Sequence, residues 1–287
     1  MKNVIEVKKL TKRYDDKFQL GEINIEIPSG CIIGLVGENG AGKTTFIKSL
    51  LNIIKPEQAE IKIFGKDVKK YDSDIKEEIG VVLDNMFFPE LLTPSDINNI
   101  MKDIYKNWDQ DLFYNYLMDF SIDKDMRIKT FSKGMRKKLE IATALSHKPK
   151  LLILDEPTSG LDPVVRSEVL DIFMNFIQDE EHSIILSTHL TSDLEHIADD
   201  IIFIDKGKIV LNKNRDELLD NYGILKCDLD EFDKIKKEDI IRYKKNKYNY
   251  EILVDNRTKI MKKYKDYIVD KITIDELLIL IIKGDEK

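Results

Sequence analysis

Residues 37–45 read GENGAGKTT, which fits the pattern G-x-x-x-x-G-K-[ST] at Gly37, Gly42, Lys43 and Thr44. Each residue type at that spacing has a physical task. Glycines let successive backbone N–H groups turn inward as a cradle for phosphate oxygens, and the following helix aims its positive N-terminus at the same point. Lys43 brings an ammonium to the terminal phosphates, and Thr44 offers a hydroxyl to Mg²⁺. Asn39, Gly40, Ala41 and Thr45 complete the cradle. Just upstream, residues 31–36 (CIIGLV) are apolar throughout, as in a strand buried on both faces. Strand, glycine-rich turn and helix in that order predict a phosphate-binding α/β core.

Working outward, residues 151–154 (LLIL) end in Asp155-Glu156, and residues 183–187 (SIILS) end in Thr188-His189. Both apolar runs deliver polar side chains at their C-terminal edge, where open α/β sheets bind ligands. There Asp155 can reach a metal through water, and Glu156 can orient or deprotonate an attacking water. Taken alone the acidic pair reads equally as a solvated strand end. Ile5 and Val7, then Ile23, Ile25 and Ile27, alternate with period two and predict two antiparallel strands, with Pro28-Ser29-Gly30 as the following turn. Between about 85 and 150 the periodicity turns helical, with Trp108, Phe113, Tyr116 and Phe120 in the apolar set. Beyond about 216 the chain is dense in Lys, Asp and Tyr, with β-like pieces at 250–254 and 267–274.

Composition narrows the function classes. Hydrophobic residues make up 42% and charged residues 34% of the chain, which suits a soluble globular protein. The longest apolar run, residues 277–282 (LLILII), is far short of the roughly 20 residues that span a bilayer and reads as a buried strand or helix. No signal-like segment opens the chain, so a cytoplasmic address is expected. Cys31 and Cys227 have neither metal nor redox spacing, and His147, His182 and His196 are read as ordinary surface or satisfied positions. A net charge of -7, from 46 basic and 53 acidic residues, gives no pull toward nucleic acid. The basic run at 234–247 is read as a solvated face.

Further motifs, in order, carry a resemblance to the ABC ATPases over residues 1–215. Residues 131–135 (FSKGM) resemble the ABC signature and open a helix-like stretch about twenty residues before Asp155. Residues 159–162 (SGLD) resemble the D-loop, His189 the switch histidine and Tyr14 the aromatic that stacks on adenine. Tyr14 by itself reads either as packing or as a base platform. The resemblance implies ATP and Mg²⁺ as cofactors. Lys43, Glu156 and His189 would act in catalysis, Thr44, Asp155 and Asp84 at the metal, and Ser132 and Gly134 on the γ-phosphate held by an opposite subunit, with Asp162 contacting across that dimer. Two departures stand out: Lys133 and Met135 replace the usual Gly and Gln of the signature, and Asp84 takes the place of the Q-loop glutamine. Met86-Phe87-Phe88-Pro89 reads as core packing or as part of a groove for a coupling helix.

The fold implied is α/β, a P-loop NTPase core (1–215) with an antiparallel β subdomain and an inserted helical subdomain, followed by a small α+β C-terminal domain (216–287). The partners implied are an integral membrane permease subunit and a second nucleotide-binding domain, identical or paralogous, with no nucleic acid. The chain would sit at the cytoplasmic face of the plasma membrane, held peripherally by the permease, in an exporter-type system. A soluble ABC machine without permease is disfavoured, because the chain has one phosphate-binding motif, no sustained heptads and no cysteine cluster. A degenerate regulatory module would need a broken catalytic residue, and Lys43, Asp155, Glu156 and His189 are all present.

Overall fold

Strand β1 (Asn3–Arg13) pairs antiparallel with β2 (Gln19–Pro28) and β4 (Gln58–Ile63), and β5 (Lys66–Asp67) completes this four-stranded sheet in the order β2-β1-β4-β5. The computed structural model describes residues 2–14, 18–84 and 88–287. A second sheet holds β3 (Ile32–Val36), β6 (Ile79–Val82), β7 (Leu151–Asp155), β8 (Ser183–Thr188), β9 (Asp200–Asp205) and β10 (Lys208–Asn214), ordered β10-β9-β3-β8-β7-β6. It is parallel apart from the β9–β10 hairpin.

The unbroken apolar runs follow from cover on both faces. Ile33, Leu35, Leu151, Ile153 and Ile185 join the antiparallel sheet and helix α1 (Lys43–Leu50) in one core. Ile32, Val36, Leu152, Leu154, Ile184 and Leu186 face the other way. There they meet helices α6 (Pro163–Phe176) and α7 (Thr191–Ile197). In register, Val36 lies beside Thr188 and Asp155 beside Ser187, so the phosphate loop, Asp155-Glu156 and His189 leave the sheet at one edge.

Short helix α2 (Asp72–Lys76) precedes β6. Helices α3 (Pro94–Ile104), α4 (Gln110–Asp119) and α5 (Lys133–Leu145) pack around Ile97, Phe113, Leu117, Phe120 and Leu139. Each starts on a side-chain cap, Thr93 in a capping box with Asp96, then Asp109, then Ser132. Phe88 packs against this cluster, while Met86 and Phe87 lie outside the described residues.

After α8 (Arg215–Asn221), strands β11 (Gly223–Asp228), β12 (Arg242–Lys245), β13 (Asn249–Val254) and β14 (Ile268–Lys271) form an antiparallel sheet ordered β12-β13-β11-β14, joined by α9 (Arg257–Lys263) and α10 (Ile274–Lys283). The β-like reading of 267–274 holds only to Lys271: Thr273 and Glu276 form a reciprocal cap that commits 277–282 to helix. Ile274, Leu277 and Leu280 of α10 are buried in the same core as Leu194 and Ile197 of α7. At roughly 1.5–3 kcal/mol per buried side chain, this packing outweighs the exposed Lys283–Glu38 ion pair (2.9 Å) at the other end of the helix.

Candidate nucleotide site

The turn between β3 and α1 is built around Gly42, which precedes the helix with φ 115°, a backbone region that L side chains rarely adopt. A Cβ there would also come within 2.8 Å of Leu20 and 3.2 Å of Phe18. Lys43 is buried, and its ammonium donates to the carbonyl of Gly37 at 2.7 Å and leans toward that of Glu38 at 3.4 Å. Burial pushes its pKa below the usual lysine value, against the opposing pull of Glu156 and Asp155. The loop carbonyls thus fix the cation at the start of α1.

Thr44 Oγ1 donates to Asp155 Oδ2 at 2.8 Å, and Ser187 Oγ donates to Asp155 Oδ1. Asp155 is 1% exposed, so this hydroxyl–carboxylate set is fixed by residues far apart in sequence. The hard oxygens of Thr44 and Asp155 match the donors that Mg²⁺ takes alongside water and phosphate. Among the described residues no group of three or more His, Cys, Asp and Glu is placed to cage a metal.

Glu156 has φ 52°, in the left-handed region, and its N–H donates to Ser187 O at 3.0 Å. The turn aims its carboxylate at His189, with Oε2 2.6 Å from Nδ1. The following residues are held from behind: Thr158 Oγ1 donates to Asp193 at 2.6 Å, and Arg166 Nε donates to the other oxygen of that carboxylate at 2.5 Å.

Tyr14, Phe18, Asn39, Gly40, Gly42, Lys43, Thr44, Thr45, Asp84 and Glu156 line one cavity of about 520 Å³. Gly37 and Ala41 belong to the loop that frames it, and Asp155 and His189 reach it through Thr44 and Glu156. Tyr14 is 52% exposed, its ring centroid 6.3 Å from that of Phe18, so the pair forms an aromatic rim. Ser132, Gly134 and Asp162 do not line this cavity. Ser132 Oγ accepts from Met135 N–H at 3.2 Å, and Asp162 accepts from Val164 and Val165 at 3.1 Å each, so both cap their own helices. Gly134 lies beside Val165.

Sequence reading missed Ser187 and Phe18. Ser187 ends the apolar run 183–187, and its position one step from Thr188-His189 is the signal that could have found it. Phe18 had none, since only the β1–β2 pairing brings it to the loop.

A family model described as ABC transporter matches residues 20–159. The chain is 33% identical over 220 residues to the bacitracin transport ATP-binding protein BcrA of Enterococcus faecalis, covering 76% of this chain and 71% of that protein. It is 34% identical over 215 residues to the lantibiotic transport ATP-binding protein SrtF of Streptococcus pyogenes, covering 74% and 92%. A solved ATP-binding subunit of an ABC transporter superposes with a TM-score of 0.69 at 26% identity over 75% of this chain and 91% of its own. With the phosphate loop, the acidic strand end and the histidine assembled at one sheet edge, these likenesses make the chain a member of the ABC transporter ATP-binding family, an ATPase whose hydrolysis is coupled to transport.

Proposed function

We propose that two copies of the chain, or one copy and a paralogue, close around two Mg·ATP and drive export through a separate integral membrane permease. The observation that carries this reading is the cavity in which Lys43, Thr44 with Asp155, and Glu156 with His189 converge at the start of α1. Lys43 stabilises charge on the β and γ phosphates, Glu156 orients the attacking water, and His189 contacts the γ-phosphate. Thr44 and Asp155 hold Mg²⁺, which supplies charge neutralisation of the phosphates, and Asp84 stands at the rim of the same site. Tyr14 takes the adenine face. Ser132 and Gly134, free of the chain's own cavity, serve the nucleotide of the opposite subunit through the N-terminus of α5, with Asp162 at the same junction.

Residues 1–215 form the nucleotide-binding domain, with the helical subdomain at about 85–150, and 216–287 the accessory domain. No helix among the described residues is long and apolar enough to cross a membrane, in keeping with peripheral attachment at the cytoplasmic face. The names of the relatives point to antimicrobial peptides as the exported class. Affinity purification of Glu156→Gln from detergent-solubilised cells with ATP and Mg²⁺ is expected to recover an integral membrane protein. Recovery of ribosomal or nucleic-acid partners without one would overturn the transporter reading of this chain.

Asp84 carries a carboxylate in place of an amide, so it accepts but cannot donate, and adds negative charge at the cavity rim. Asp84→Gln is expected to keep basal turnover within about threefold while changing how strongly the permease stimulates it. An unchanged stimulation, measured in the reconstituted complex, would remove Asp84 from coupling.

A further inference from the structure

Four cations crowd the start of α5: Lys133, Arg136, Lys137 and Lys138. Three of them have carboxylates, Arg136 with Glu90 at 3.3 Å, Lys137 with Glu140 at 2.8 Å and Lys138 with Glu168 at 2.5 Å. No carboxylate partners Lys133 among the described residues. Its side chain instead lies across Gly160: a Cβ at Gly160 would collide with Lys133 Nζ and meet Cε and Cδ at 3.2 and 3.5 Å. Gly160 has φ 68° and no side chain, so both its conformation and the space above it admit the lysine. Helix α5 also meets α6 beyond this turn. A Cβ on Gly134 would touch Val165 of α6 at 3.6 Å, and the Lys138–Glu168 pair closes the next turn.

Gly160 belongs to the turn that begins at Glu156. Ser159 N–H donates to Glu156 O at 3.3 Å, and Leu161 N–H donates to Thr158 O at 3.2 Å. A left-handed glutamate costs of order 1 kcal/mol and persists only where its surroundings hold it. On one side Asp193 grips Thr158. On the other lies the Lys133 side chain.

We propose that Lys133 is a positioning residue for hydrolysis: lying over Gly160, it braces the turn 156–160 from the helical subdomain, so that the docking of α5 sets the direction of the Glu156 carboxylate in the same chain. A glycine, as the signature usually has at this position, lacks the reach. The proposal rests on the reading of Glu156 as the group that orients water.

Steady-state ATPase of the purified full-length chain against ATP concentration tests it. Lys133→Ala is expected to lower kcat about 5- to 10-fold with KM within about twofold, because misaiming one catalytic group slows the chemical step without weakening binding. Lys133→Arg, which keeps length and charge, is expected to retain at least about half of the wild-type kcat. Gly160→Ala displaces the lysine and lowers kcat too, and the double variant Lys133→Ala/Gly160→Ala should be no slower than the poorer single variant. Thermal unfolding of Lys133→Ala at the wild-type midpoint separates positioning from folding. A wild-type kcat in Lys133→Ala overturns the proposal, as does a several-fold rise in KM with kcat kept, which would place the lysine on nucleotide and not on the turn. If Glu156→Gln keeps wild-type turnover, the underlying reading of Glu156 fails instead, whatever Lys133→Ala does.

Discussion

Replacing Glu156 with Gln is expected to lower ATP turnover by about 10²- to 10³-fold while leaving ATP affinity within about threefold, as read by steady-state hydrolysis beside equilibrium binding of a fluorescent ATP analogue. The side chain is nearly isosteric, and the amide can still accept from His189 Nδ1, so the 2.6 Å contact and the left-handed turn persist. What would be lost is the anionic oxygen that, in the proposed role of Glu156, orients a water and takes its proton. Affinity should be preserved because the proposed site would hold the phosphates elsewhere, by the loop amides, Lys43 and the N-terminus of α1. The negative charge of Glu156 also helps keep Lys43 protonated against burial, and the incoming phosphates replace that support. Turnover within about threefold of wild type would show that Glu156 is a strand-end acid without a part in the chemistry.

The second large effect is on stability. Arg166→Met is expected to destabilise the chain by about 3 kcal/mol, seen as a lowered midpoint in chemical unfolding, because it strands a buried carboxylate. Asp193 is 1% exposed, and its oxygens are taken by Thr158 at 2.6 Å and Arg166 at 2.5 Å. Arg166 itself is partly open to water, which keeps the figure at the lower end of the range for breaking buried pairs. By contrast Lys76→Ala, which removes the exposed Lys76–Asp72 pair at 2.7 Å, should cost less than about 0.5 kcal/mol. A loss below about 1 kcal/mol in Arg166→Met would mean that Asp193 rehydrates or finds another donor. Since Asp193 holds Thr158, two residues after Glu156, Arg166→Met should also slow turnover.

Much of this site is local in the chain and therefore legible. Gly42, Lys43 and Thr44 work through a single turn whose backbone geometry is written in residue type, and the apolar strands that end in Asp155-Glu156 and Thr188-His189 declare their edge. Less was legible where local signals compete. The run LLILII fits strand and helix alike, and its helical outcome rests on the cap formed by Thr273 and Glu276, a pattern present in the sequence but in competition with the β-like residues before it. Asp162 shows the same competition at a finer scale: placed by motif order at a dimer junction, its carboxylate also caps α6.

The sequence by itself determined the chemistry available to this protein, because phosphate-cradling loops and doubly buried strands depend on residue type at fixed short spacing. Tertiary structure alone decided which groups restrain that chemistry. Ser187 on Asp155, Arg166 and Thr158 on Asp193, and Lys133 over Gly160 join residues between 27 and 35 positions apart. Such contacts arise only when parallel strands settle in register and helices dock across them, a long-range outcome of packing that no short spacing encodes.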